Sequence, residues 1–252
     1  MTVQGLIDTT EMYLKAAYEL EEDGVVPLRA RIAERLGHTA PTVSQTVSRL
    51  QREGLLLVTG DRQLKLSAKG KRLAVRVMCK HRLAEVLLHR VIGLDWAQVH
   101  AEACRWEHVI SEEVGRRIFE LCDGPRYCPY GAPIPGLAEL GVTDAPAPSA
   151  PRGIQALSAA ERGGPRAVRL YRISERIQDD GGFLRWLQAT GLTPGALLKL
   201  SPGPGHVVEV DDARKVTLNS RQASMLIVCD AARNTGGEFR RNTMRPVIFS
   251  GH

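Results

Sequence analysis

Residues 27–70 read PLRARIAERLGHTAPTVSQTVSRLQREGLLLVTGDRQLKLSAKG, and this stretch decides the fold. PLRARIAERLG is a short helix with Ile32, Ala33 and Leu36 on its inner side and Gly37 as its stop. After a tight GHT turn, APTVSQTVSRLQREG forms a second helix. Thr39 caps it, and Pro41 sits in the first turn, where a missing N–H costs nothing. Val43, Val47 and Leu50 recur at i, i+4 and i+7 as a buried stripe, which leaves Thr42, Ser44, Gln45, Thr46, Ser48, Arg49 and Arg52 facing outward. Small hydroxyls, one Gln and no acid at the leading end suit a helix that enters a major groove. Gln contacts a base edge through two hydrogen bonds, hydroxyls reach bases or phosphates, and Pro41 or Thr42 touches a thymine methyl. LLLVTGDRQLKLSAKG then reads as strand, turn, strand, a wing whose Arg62 and Lys65 reach phosphate. The blander reading is a helical hairpin with a solvated polar face, which leaves the wing and the charge unexplained.

The charge supports the first reading. The chain has 252 residues and a net charge of +6, a modest excess that favours anionic partners. Residues 1–26 hold Lys15 against six acids, a net −5, whereas residues 27–72 hold ten bases, Arg29 among them, against three acids, a net +7. Hydrophobic residues at 43% and charged residues at 25% exclude a disordered or collagen-like chain. No apolar run approaches the ~18 residues of a spanning helix, and the start MTVQGLIDTTEMYL lacks a basic region before an apolar core. The expectation is a soluble, cytoplasmic protein without a membrane partner. Five cysteines (79, 104, 122, 128, 229) form no CxxC pair, so reduced thiols are expected rather than a disulfide framework.

The rest of the chain divides by pattern. KRLAVRVMCKHRLAEVLLHRVI and DWAQVHAEACRWEHVISEEVGRRIFEL read as two long helices separated at Gly93-Leu94-Asp95. A proline-rich stretch from Pro125 to Pro151 holds half of the 14 prolines and reads as an extended connector. VRLYRI, ALLKLS, HVVEV, KVTL and SMLIV are short β-type runs between turn formers, a small barrel or sandwich of about 65 residues. The expected organisation is a winged helix-turn-helix domain at 1–72 and a helical domain at 73–142. A proline/glycine-rich linker at 143–164, a β domain at 165–230 and a disordered tail at 231–252 follow. The fold class is mainly α with a small β domain.

Two helices carry a metal-ligand pattern. His81 and Glu85 are i, i+4 and share a face. His100, Cys104, Glu107 and His108 follow the spacing 0, 4, 7, 8, which at about 100° per residue places all four within an arc of about 100°. Nitrogen, carboxylate and thiolate donors together suit a divalent transition metal, and sulfur disfavours magnesium or calcium. Two alternatives stand beside this. One is a metal-free carboxylate–imidazole network. The other is a zinc hydrolase, because Cys104-Arg105-Trp106-Glu107-His108 echoes H-x-x-E-H with Cys for the first His, which makes Glu107 a general base.

These residues resemble the diphtheria toxin repressor family of iron-dependent regulators. The likeness spans roughly residues 6–230 and rests on DTTEMYL, PLRARIAERL, PTVSQTVSRL, HRLAE, the His-x3-Cys-x2-Glu-His stripe running into CRWEHV, and PIPGLAELG at 133–141. It implies a winged helix-turn-helix, a helical metal-binding and dimerisation domain, and a C-terminal SH3-like β-barrel. It also implies Fe(II) as corepressor, with Co(II), Ni(II), Mn(II) or Zn(II) able to substitute, at two metal sites per chain. By motif, the primary site is Met12, Cys104, Glu107 and His108. The ancillary site is His81, Glu85 and His100, completed by Glu175 and Gln178 of SERIQ. Residue-level reading alone passes over Met12, Glu175 and Gln178. Arg82 corresponds to the family's anion-binding arginine, while Cys128 and Ala132 stand where the family carries polar residues.

The implied function is an iron(II)-dependent repressor that binds palindromic operator DNA as metal-loaded homodimers, two dimers per operator, and controls iron-homeostasis genes. Thr9, Arg29, Thr39, Pro41, Thr42, Ser44, Gln45, Arg49, Arg52 and Arg62 are the expected DNA contacts. A manganese- or other metal-responsive regulator of the same family is the alternative, and Cys104 argues against manganese by softness. A further expectation is that the SH3-like domain supplies ligands, binds the proline-rich segment of its own chain, or does both.

Overall fold

The architecture is that of a computed structural model, which describes residues 9–142, 151–164, 166–201, 206–212 and 214–231. Three helices open the chain: α1 (Thr9–Glu22), α2 (Arg29–Leu36) and α3 (Ala40–Arg52). Gly37 ends α2 in the left-handed conformation at φ 65°, which an L side chain rarely adopts, and so turns the chain into α3. Thr39 caps α3 by accepting from the Thr42 amide at 3.4 Å. Strands β1 (Leu56–Val58) and β2 (Leu64–Leu66) pair antiparallel as the wing. Asp61 braces the wing turn, accepting from the Thr59 hydroxyl and the Gln63 amide, and Arg62 takes the positive φ of 65° there. Val43, Val47, Leu50, Leu56 and Leu64 close a core with Tyr13, Leu14 and Ala17 of α1, so α1 belongs to the DNA-binding body.

Helix α4 (Ala68–Leu87) runs on into a π-helical turn, Leu88–Ile92. The second long helix expected from the sequence is instead two: α5 (Trp96–Trp106) and α6 (Glu112–Leu121). Ser111 makes the break by capping α6 through the Val114 amide, which places Glu107 and His108 on the turn rather than in a helix.

The C-terminal half adds β3 (Gln155–Ala156), α7 (Leu157–Ala160), β4 (Arg166–Ile173), α8 (Gly181–Thr190), β5 (Leu197–Leu200), β6 (His206–Val210), β7 (Arg214–Leu218), α9 (Ser220–Met225) and β8 (Leu226–Asp230). The strands form a curled antiparallel sheet in the order β3-β8-β4-β5-β6-β7. The five expected β runs all contribute strands to it, though Ser224 and Met225 of SMLIV end α9 and the strand starts at Leu226. Strand β3 and helices α7–α9 have no counterpart in the sequence reading. Gln155 and Ala156 pair with β8, so this part of the expected linker lies within the sheet. Residues 143–150, and residues 232–252 of the disordered tail expected at 231–252, lie outside the described residues.

One hydrophobic core runs from Leu83, Val99 and Ile134 of the helical region into Leu170, Leu187 and Val228 of the β region, fusing the two. The 125–136 loop is pressed against β4: Gly131, at φ 87°, comes so close to the Tyr171 carbonyl that a Cβ there would lie 2.3 Å from it. Ile173 N–H donates to the Tyr130 carbonyl at 2.9 Å. That contact brings the segment after β4, residues 174–179, over α4 and α5. No helix among the described residues is long and apolar enough to cross a membrane.

Candidate metal centre

His81, Arg82 and Glu85 sit on α4, fully buried, and face His100 and Cys104 on α5. Tyr130 fixes α5 at this point: its hydroxyl donates to the Trp96 carbonyl at 2.6 Å and accepts the His100 amide at 3.1 Å. His81 Nε2 lies 2.8 Å from Glu85 Oε1 and 3.2 Å from His100 Nδ1. The third wall is the segment after β4, where Glu175 Oε2 is 3.4 Å from His81 Nε2 and 3.7 Å from His100 Nδ1. Donor atoms of His81, Glu85, His100 and Glu175 all fall within 4.8 Å of one another, as do those of His81, His100 and Cys104.

The expected primary set meets beside this cluster. Met12, Cys104, Glu107 and His108 line a cavity of about 200 Å³ together with Lys15 and Asp179. His108 Nε2 is 3.2 Å from Glu107 Oε1, and its Nδ1 is 2.7 Å from Glu11 Oε2. Cys104 Sγ is 3.6 Å from His100 Nε2 and Glu107 Oε2 is 2.6 Å from His81 Nδ1, so the two expected sites form one continuous polar cluster.

Electrostatics hold the thiol and the carboxylate in their ligating forms and the imidazoles in their protonated ones. Burial pushes the Cys104 thiol up, but Lys15, His100 and His81 outweigh it and bring the thiol down to about 6. Burial pushes Cys79 to about 12 and Cys122 to about 11, which marks them as inert core thiols. Burial opposes charge on His100, but Cys104 and Glu85 raise it to about 10. For His108, burial is outweighed by hydrogen bonds to Glu107 and Glu11, which raise it to about 9. Burial would raise Glu107, but Lys15 and His81 hold it well below the carboxylate range.

Whether these residues fit a metal is tested by polar atoms left over. Gln178 donates its amide to the Ile173 carbonyl at 2.8 Å, while its buried Oε1 takes no hydrogen bond. Glu175 Oε2 is likewise buried without one. Unpaired buried acceptors are costly, and Glu175 Oε2 borders two imidazoles and a second carboxylate. The donor set fits a divalent transition metal.

Arg82, expected at an anion, is filled by the protein itself. Its guanidinium donates to Glu22 at 2.6 and 2.9 Å, to Glu175 at 3.0 Å and to the Pro133 carbonyl at 2.7 Å, and Cys128 and Ala132 beside it are buried. The sequence reading also missed the polar seam between α1 and the β domain. Asp23 accepts from Arg172 Nη1 at 2.7 Å, from Arg176 Nε at 2.8 Å and from Ser174. Arg35 of α2 bridges Glu19 (2.8 Å) and Asp179 (2.7 Å), and Asp179 Oδ1 lies 3.5 Å from His100.

On the DNA-binding body, Thr9, Thr39, Pro41, Thr42, Ser44, Gln45, Arg52 and Arg62 are exposed and Arg29 is half-buried. Arg49 is tied back to Thr10 at 3.3 Å and to Glu53 at 3.0 Å. Thr39 and Thr42 pair their hydroxyls at 2.9 Å.

A winged helix-turn-helix body joined through a ligand-rich cluster to a helical region and a curled β-sheet defines a metal-responsive DNA-binding protein. Residues 5–64 match the family "Iron dependent repressor, N-terminal DNA binding domain", and residues 67–136 match "Iron dependent repressor, metal binding and dimerisation domain". The chain is 51% identical over 221 residues to the iron-dependent repressor IdeR of Mycobacterium tuberculosis, covering 86% of this chain and 95% of that one. To the diphtheria toxin repressor of Corynebacterium diphtheriae it is 47% identical over 218 residues, 86% and 94% of the two chains. A solved manganese-dependent transcriptional repressor in complex with manganese superposes with a TM-score of 0.75 at 28% identity, over 88% of this chain and all of the other. The chain belongs to the iron-dependent repressor family. Its members are transcriptional repressors, so the zinc hydrolase alternative falls.

Proposed function

We propose that the chain is an iron(II)-dependent repressor that binds palindromic operator DNA as metal-loaded homodimers, two per operator, in the cytoplasm, and controls iron-homeostasis genes. The observation that carries this reading is the buried cluster of His81, Glu85, His100 and Glu175, with Glu175 Oε2 taking no hydrogen bond, walled by three separate parts of the chain. Met12, Cys104, Glu107 and His108 form the primary site, and His81, Glu85, His100, Glu175 and Gln178 the ancillary one.

A divalent metal supplies a cross-link between α1, which carries Met12, and the α5 turn, which carries Glu107 and His108. The residues of the chain convert that link into DNA affinity. Helix α1 shares its core with α3, so fixing α1 fixes the recognition helix relative to the helical domain. In a dimer the two copies of α3 are then held one or more helical turns of DNA apart, each turn about 34–36 Å. Thr42, Ser44 and Gln45 face the bases, and Thr9, Arg29, Arg52 and Arg62 lie where phosphates pass; Arg49 positions α3 through Thr10. The apolar side chains exposed at Ile92, Val109, Val114 and Leu121 supply the dimer face.

Metal then raises DNA affinity as a coupling free energy, and DNA tightens metal binding in return. A gel shift on promoter DNA with a metal series and a chelator control tests this. Fe(II) or Co(II) should strengthen binding and chelator should abolish the gain; equal affinity in both rejects the proposal. Cys104→Ala should remove most of the response and His81→Ala less of it. A manganese-responsive regulator is the second reading, favoured by the manganese-bound structural relative and opposed by the Cys104 thiolate.

A further inference from the structure

Lys15 is the lone base among residues 1–26, and its ammonium is buried at the junction of the two ligand sets. Its Nζ is 2.6 Å from Glu107 Oε2 and 3.7 Å from Cys104 Sγ on one side, and 3.3 Å from His81 Nδ1 on the other. Glu19, one turn further along α1, lies 3.8 Å away. An ammonium at hydrogen-bond distance from Glu107 and beside the Cys104 sulfur takes up electron pairs a metal would use. Bond lengths of roughly 2.0–2.3 Å from a metal to nitrogen, oxygen or sulfur leave no room for it at the same atoms, and two cations there repel.

We propose that Lys15 is an internal competitor for the metal: its ammonium occupies the ligand cluster of the metal-free protein and must be expelled before the cluster loads. The inference rests on the metal-site reading above and adds a residue that sets the metal concentration at which the protein responds. The exit is built in. Glu19, Asp179 and Arg35 line the same cavity of about 200 Å³ as Met12, Cys104 and Glu107, and the carboxylates of Glu19 and Asp179 can receive the ammonium on its flexible four-carbon stem. Met12 and Lys15 are i, i+3 and share one face of α1. Loading therefore exchanges Lys15 for Met12 as the α1 side chain that enters the cluster. Lys15 meets His81 only at Nδ1, the ring nitrogen turned away from Glu85, His100 and Glu175, so its expulsion acts on the Cys104–Glu107 side of the cluster.

A protein whose competent form is populated one-tenth of the time binds about tenfold more weakly than its intrinsic affinity. The test is a Co(II) titration of the full-length chain under anaerobic conditions, followed by the thiolate–cobalt absorption, with thermal melts recorded with and without Co(II). Lys15→Gln should bind Co(II) at least about tenfold more tightly, and should melt lower than wild type only when metal-free. Lys15→Arg keeps the cation and should bind no more tightly than wild type, a check that also stands if Lys15→Gln misfolds. Equal or weaker cobalt affinity in a folded Lys15→Gln, or tighter binding by Lys15→Arg, overturns the proposal. If wild type and variants alike show neither absorption nor a melting shift with Co(II), the metal-site reading fails and takes this inference with it.

Discussion

Loading the two sites at different pH separates them by proton count. In the metal-free protein His108 is held at about 9 against burial by Glu107 and Glu11, and His100 at about 10 by Cys104 and Glu85. Burial and Lys15 oppose charge on His81, yet Glu85, Glu175 and Glu107 keep it well above its usual value. Cys104, at about 6, is already thiolate at pH 7.5, and Glu107 and Glu175 are ionised. A metal takes only the neutral imidazole, so loading the primary site releases one proton, from His108, and loading the ancillary site releases two, from His81 and His100. Between about pH 7 and 9 affinity should rise roughly tenfold per pH unit at the first and more steeply at the second, since each displaced proton is worth 1.36 kcal/mol per unit. The stability of the metal-free form moves the other way. A raised imidazole pKa contributes stability fully present below about 6.5, and this is lost as pH rises through about 9 and then about 10. Calorimetric titration with Co(II) in two buffers of different ionisation enthalpy counts the protons. Close to three per chain is expected, falling by one in His108→Ala. Release below one proton per chain at pH 7.5 would refute the charge assignment on which this rests.

Removing the Asp23 carboxylate should loosen the seam between α1 and the β domain. Arg172 is 3% exposed and keeps the Glu22 carbonyl at 2.8 Å, so Asp23→Ala falls at the lower end for a broken buried pair, about 3 kcal/mol. At roughly 2–4 °C per kcal/mol the melting temperature drops by about 6–12 °C, and a shift under about 2 °C contradicts the seam's importance. On α6, Val114 and Leu121 are i, i+7 and about half exposed. Val114→Glu should turn the dimer into monomer in sedimentation equilibrium while leaving the monomer's circular dichroism unchanged; a dimer that survives moves the interface elsewhere.

The legible parts of the molecule are those whose causes are local. Gly37, Thr39 and the Val43–Val47–Leu50 stripe declare α2 and α3 within a few residues of themselves, and His81/Glu85 and His100/Cys104 share faces because a helix repeats every 3.6 residues. Glu175 and Gln178 were reachable only through resemblance, because the α4 and α5 residues that Glu175 meets are 75 or more residues away in sequence and nothing local marks Gln178. The break at Ser111 was hidden because a serine before two glutamates is compatible with a helix interior as well as with a cap. Helix α8 begins at Gly181-Gly182, which reads as a turn until Asp180 is seen to cap it through the Phe183 amide. Lys15 had a local signal, being one base in an acidic segment. Its role depends on Glu107 and Cys104, some 90 residues away, and charge arithmetic carries no such information.

The helix that links these observations is α1. Fourteen residues at 1.5 Å each make a rod of about 21 Å, short enough to move as one body. Near its start Thr10 holds Arg49 of the recognition helix; at its middle Met12 and Lys15 face the ligand cluster; at its end Glu19, Glu22 and Asp23 are gripped by Arg35, Arg82, Arg172 and Arg176. The part of this grip centred on Asp23 uses none of the proposed ligands and sets a pivot. With that end anchored, a change in which α1 side chain enters the cluster displaces the other end of the rod, where α3 is attached. On the proposed metal-site reading, occupancy would be read out at the recognition helix by leverage about the Asp23 seam. It follows that Asp23→Ala should weaken the coupling between metal and operator binding even where each is still bound.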